Sequence, residues 1–145
     1  MRFHHVLFVL GAALSGCTGM MNGRDAMRGS VEDALAETQV HLSTGRELAT
    51  MPAMLGEVDR HGWRMDAIMG DMRDHMGSMH GCVGLRAMST LRDGMSEELT
   101  AHIASMHAMA TVQDARAEVE HHAGTMTSML GDMDSMLDGM HCDGW

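Results

Sequence analysis

The chain has 145 residues and a formal charge of −10; its ten basic side chains are all arginine, and 20 of its residues are methionine against only four aromatics. That length supports one hydrophobic core rather than two. The acidic balance excludes nucleic acid as a partner, because phosphate binding needs a basic face, and 45% apolar residues with a single proline exclude a disordered polar chain.

The N-terminus reads as an address. A short basic start, Met1-Arg2-Phe3-His4-His5, precedes the apolar run from Val6 to Leu14 and then Leu14-Ser15-Gly16-Cys17, the order of regions in a secretory signal peptide. The run is too short for a permanent membrane span. Leu-Ser-Gly-Cys resembles the lipobox of bacterial lipoproteins, which implies cleavage after Gly16 and a lipid on Cys17; Thr18 is similar to the residue at that place in lipoproteins sorted to the outer membrane. The expected protein is exported and membrane-anchored through that lipid, facing the periplasm. Residues 1–16 form the signal peptide, residues 17–29 a flexible Gly/Met/Arg tether, and residues 30–145 the folded unit.

Four helices are predicted beyond the tether. The first carries its apolar and small residues at Val31, Ala34, Thr38, His41, Gly45 and Leu48. After a turn at Thr50 and Pro52, the second continues Met51, Met54, Val58, His61, Met65, Ile68, Met72, His75 and Met79. Gly77 to Gly84 links to a third helix with Met88, Met95, Leu99, His102, Met106 and Met109. Beyond Thr111 the fourth reads Val112, Ala115, Val119, His122, Met126, Met129, Met133, Met136 and Met140. The 3-4 spacing is the seam of helices packed side by side. Thr50 and Thr111 are expected helix N-caps.

The second half repeats the first. A shift of 61 residues lays 37–80 on 98–141 without a gap, matching Glu37 with Glu98, His41 with His102, Glu57 with Glu118, His61 with His122, Met65 with Met126 and Met72 with Met133. The fold class is therefore all-α, an antiparallel up-down-up-down four-helix bundle of two tandem hairpins at about 30–81 and about 85–142.

The repeat places four histidines together. His41 and His61 stand equally far from the first turn, and His102 and His122 equally far from the second, so all four seam imidazoles converge on one layer. Unpaired imidazoles buried together would make a poor core unless something binds them. Each has a glutamate four residues earlier (Glu37, Glu57, Glu98 and Glu118), on the same helix face. These carboxylates are expected to accept the N–H of a metal-bound imidazole, or to ligate directly in a dinuclear His/Glu site. Away from the turns the seam becomes thioether: Met65, Met72, Met126, Met129 and Met133, with Met106 across the histidine layer. Met is a flexible filler that specifies a core less well than Leu, and thioethers select Cu(I). At the far end Cys82 and Cys142 form either a disulfide or, with Met79, His80, Met140 and His141, a port for a soft metal.

An exported four-helix bundle lined with soft donors resembles the bacterial copper storage proteins, whose interior cysteine column takes Cu(I); this chain sets Met and His there instead. The resemblance implies copper binding, buffering or storage, with Cu(I) on the methionines and a second ion on the histidine layer. Glu118-Val119-Glu120-His121-His122-Ala123-Gly124 with Met126 is also similar to the His-His/Met helices of small exported metal-binding bundles. The Glu/His pattern resembles ferritin-type di-metal bundles, with Glu-x-x-x-His in place of their Glu-x-x-His. Iron, zinc or haem are alternative cofactors, and a His/Glu redox centre or a ligand-free structural bundle are alternative functions. A nucleophile–base constellation is missing, so an enzyme is not expected.

Overall fold

The computed structural model describes the backbone of residues 15–142 and the side chains of residues 23–142. Its order is α1 (Ser15–Glu47), α2 (Met51–Ser78), α3 (Leu85–Ala108) and α4 (Val112–Gly139). α1 and α3 each pack against both α2 and α4, so α1 faces α3 across one diagonal and α2 faces α4 across the other. This is an all-α four-helix bundle with short turns at 48–50 and 109–111. No described helix is long and apolar enough to cross a membrane.

The turns show why the chain reverses where it does. Both Thr50 and Thr111 hold extended N-cap backbone, but only Thr111 makes the cap bond, accepting from the Asp114 backbone N–H while its hydroxyl donates to the Asp114 carboxylate. The equivalent of Asp114 is Ala53, which has nothing to return, and α2 relies on Pro52 in its first turn. Gly81 and Gly84 take positive φ (78° and 98°) in the link between hairpins, a conformation that favours glycine. Beside that link Cys82 and Cys142 are joined in a disulfide. The backbone pairs there too, and Val83 N–H donates to the His141 carbonyl.

Two expectations change. Residues 17–29 are not a flexible tether: α1 is helical from Ser15, Met27 is fully buried, and Gly23 packs against Ser78 and Met79 at the far end of α2. Burying Met27 stabilises this first stretch of helix, which its glycine-rich composition conceals. The second change is in phase. A strict 3-4 alternation drifts by ~20° per heptad relative to a straight helix, and over α4 the drift carries Met129 and Met136 half out of the core. Leu130 and Leu137 are fully buried in their place. α2 shows the same step, with Met69 buried and Ile68 half-buried.

The signal-peptide segment 1–14 and the side chain of Cys17 lie outside the described residues.

Candidate metal centre

The four histidines meet in one layer. His41, His61, His102 and His122 are at most 1% exposed, and they divide the apolar interior in two. On the side of the helix–helix turns lies a small cluster of Met54, Val58, Met106, Ala115 and Val119. On the other side lies the long compartment, where ten of sixteen buried members are methionine, including Met65, Met72, Met126 and Met133. Five of the six methionines expected as ligands are thus fully buried; Met129 is the exception. Small residues let the helices close around the layer. A Cβ on Gly45 would stand 2.9 Å from Val119, and one on Gly62 would stand 2.7 Å from Ile103.

Each glutamate meets a histidine, though not the expected one. Glu37 Oε1 lies 3.2 Å from His61 Nδ1, Glu57 Oε1 3.2 Å from His41 Nδ1, Glu98 Oε1 3.1 Å from His122 Nδ1, and Glu118 Oε1 3.3 Å from His102 Nδ1. The i, i+4 partner on the same helix is passed over for the level position on the other helix of the hairpin. The physical reason is the antiparallel turn, which falls at 48–50, two residues earlier than the count that set His41 level with His61. About it Glu37 is level with His61 and Glu57 with His41, and the two histidines, offset by four residues, meet because each side chain leans toward its own helix N-terminus. With the ring pointing to the bundle axis, Nδ1 faces the neighbouring helix.

A carboxylate only accepts, so Nδ1 is the donor in all four bonds. A neutral imidazole has one N–H, and every inner nitrogen, Nε2, is therefore left with a bare lone pair. These nitrogens face each other across the diagonals: His41 Nε2 to His102 Nε2 is 3.3 Å, and His61 Nε2 to His122 Nε2 is 3.3 Å. The facing partners are each other's equivalents in the repeat. Within a hairpin the rings stack, His41 on His61 and His102 on His122, both with centroids 4.0 Å apart.

Electrostatics keep the layer neutral. Burial is the main reason that all four imidazoles hold protons less readily than an ordinary histidine. Neighbouring imidazoles push His61, His102 and His122 further in the same direction, so that His102 falls to about 3 and His122 to about 4. Burial would raise Glu57, but its bonds to Arg60 and His41 outweigh that and hold its carboxyl below the usual range. Arg60 bridges Glu57 and Glu37, and Arg64 caps Glu37 at 3.0 Å where a groove of about 450 Å3 runs past Trp63 and Val40 on the outer face.

Sequence reasoning missed Arg60 and Arg64. The signal lay in the differences between the repeats, since their equivalents are His121 and Thr125. Among the described residues no three His, Cys, Asp or Glu side chains are grouped so as to hold a metal ion. Within each stack the lone pairs of the parallel rings run side by side instead of converging. What the layer presents is pairs of donors, with soft thioethers beyond. Comparison with protein-family models, with curated proteins and with solved structures gave no match.

Proposed function

We propose that the chain is an exported, lipid-anchored bundle that binds and buffers copper as Cu(I). The observation that carries this reading is the buried layer of four neutral imidazoles, their outer nitrogens committed to carboxylates and their inner nitrogens bare. A layer without a ligand gains nothing from that arrangement, since apolar side chains of similar volume would avoid the cost of burying four rings with facing lone pairs. The metal is argued from softness: imidazole suits copper, and the adjoining compartment is mostly thioether. The carboxylates lie on the outer nitrogens, which favours this reading over a carboxylate-bridged redox centre. The lipid anchor rests on Leu14-Ser15-Gly16-Cys17.

Anaerobic Cu(I) titration tests the proposal. The chain is expected to take up several ions tightly. Replacing Met65, Met72, Met126 and Met133 together by Leu, a volume-conserving change, should keep the helical content and lower the uptake. No bound copper would overturn the proposal, and unchanged uptake in that variant would remove the methionines from it.

A further inference from the structure

We propose that the histidine layer holds two monovalent soft cations, one on each diagonal, rather than a single ion shared by four ligands. This rests on the copper reading and gives it a stoichiometry and a charge class. His41 and His102 have ring centroids 5.4 Å apart, planes at 84° and Nε2 atoms 3.3 Å apart, and His61 and His122 have 5.5 Å, 82° and 3.3 Å. The centroid separation exceeds the nitrogen separation by about twice the distance from ring centre to ring atom, so each pair is head-on and its two lone pairs lie nearly in line. Two opposed nitrogen donors make a linear two-coordinate site, which Cu(I) and Ag(I) accept and Zn(II) does not, since zinc takes four ligands in a tetrahedron.

One ion shared by four rings asks for a different layer. The rings would have to radiate from one point, yet the planes within each stack lie only 12° and 9° from parallel. Both stacks would have to open. Two ions ask for less: a metal–nitrogen bond of about 2 Å needs each facing pair to widen to about 4 Å, along the line on which its nitrogens already point. The charges agree. Of the groups that touch the four rings or their carboxylates, Glu37, Glu57, Glu98 and Glu118 are acidic and Arg60 and Arg64 basic. With neutral imidazoles that leaves two formal negative charges, which two monovalent cations balance. The diagonals are also independent of one another in donors, since no imidazole serves both.

Ag(I), a redox-inert probe of the same class, tests this by native mass spectrometry and by 15N NMR of the imidazoles. In the chain in which Met65, Met72, Met126 and Met133 are Leu, adding His102→Gln should lower the Ag(I) count by one, and adding His122→Gln as well should lower it by two in all. In the unaltered chain, where folding is not in question, the Nε2 resonances of His41 and His102 should move together, as should those of His61 and His122, with a one-ion species present at half loading. A single ion that moves all four resonances at once would overturn the proposal, as would Zn(II) displacing Ag(I) from the layer. If Ag(I) and Cu(I) bind but leave every imidazole unmoved, the copper reading stands on methionine alone and this inference fails. If neither ion binds, the copper reading itself fails.

Discussion

In the first hairpin the carboxylates behind the histidines are sealed. Arg60 lies 2.6 Å from Glu57 and 3.1 Å from Glu37, Arg64 adds a second guanidinium to Glu37, and the two glutamate side chains are 9% and 4% exposed. In the second hairpin the same bonds to histidine are made by Glu98 and Glu118, but these are 23% and 20% exposed, and among the described residues no arginine reaches them. The contrast separates what the imidazoles need from what the surroundings add. A carboxylate on Nδ1 occurs in all four places and orients the ring; the guanidinium clamp occurs in two and neutralises a buried charge. Identical interiors can therefore rest on unequal walls, with the α3–α4 wall the more hydrated.

Acid should break the symmetry most strongly. All four imidazoles have folded-state values below the ordinary histidine value of about 6.5. The unfolded chain thus binds protons that the folded chain refuses, and stability falls as pH drops below about 6.5 towards the folded values. By pH 5 His61, His102 and His122 each cost about 2 kcal/mol, which urea unfolding of the metal-free protein, followed by circular dichroism from pH 7 to 5, would record as a falling midpoint. The order of titration sharpens the comparison. NMR should find His122 protonating near 4, ahead of His61, which burial first and then the surrounding imidazoles and Arg60 hold down to about 2. Protonation of His61 ahead of His122 would contradict the picture of unequal walls.

Three smaller effects follow. Reducing the disulfide, or Cys82→Ser with Cys142→Ser, frees the hairpins at the end remote from the helix–helix turns. A crosslink across 60 residues is worth about 4 kcal/mol of loop entropy, measurable as a lower urea midpoint. Arg60→Met should cost roughly 2 kcal/mol: removing one partner of a buried ion pair costs ~3–5 kcal/mol, reduced here because Arg60 is 35% exposed. Glu98→Gln keeps the size of the side chain and removes a charge that no arginine pairs among the described residues, so its cost should stay below about 1 kcal/mol. If Glu98→Gln proved as damaging as Arg60→Met, the two walls would be equivalent after all.

Much of this was legible in the chain itself. The 61-residue offset carried the architecture, and the seam spacing brought His41, His61, His102 and His122 to one layer, although the turns fall at 48–50 and 109–111 and leave the two histidines of each hairpin offset by four residues. The position of the cysteines allowed the disulfide, although the residues there equally suited a metal port. Other features were hidden for physical reasons. Glu37 is both four residues before His41 and level with His61 across the turn, so spacing alone cannot select its partner; the direction of the ring does. The burial of Leu130 and Leu137 in place of Met129 and Met136 depends on the slow mismatch between 3.5 and 3.6 residues per turn, which shows only in a long helix. Met27 joins the core through contacts with distant chain, which leave no local pattern.

The facing nitrogens come from equivalent places in the repeat, His41 with His102 and His61 with His122, and this has a consequence for symmetry. A single hairpin presents half of every diagonal and completes none. Two identical copies associating about a twofold axis would supply both missing halves at once, since a self-complementary interface brings each residue against its own counterpart or exchanges contacts in pairs. The layer thus has the symmetry that a twofold pairing of two hairpins would give it, within one covalent chain, and Arg60 and Arg64 break that symmetry on one side.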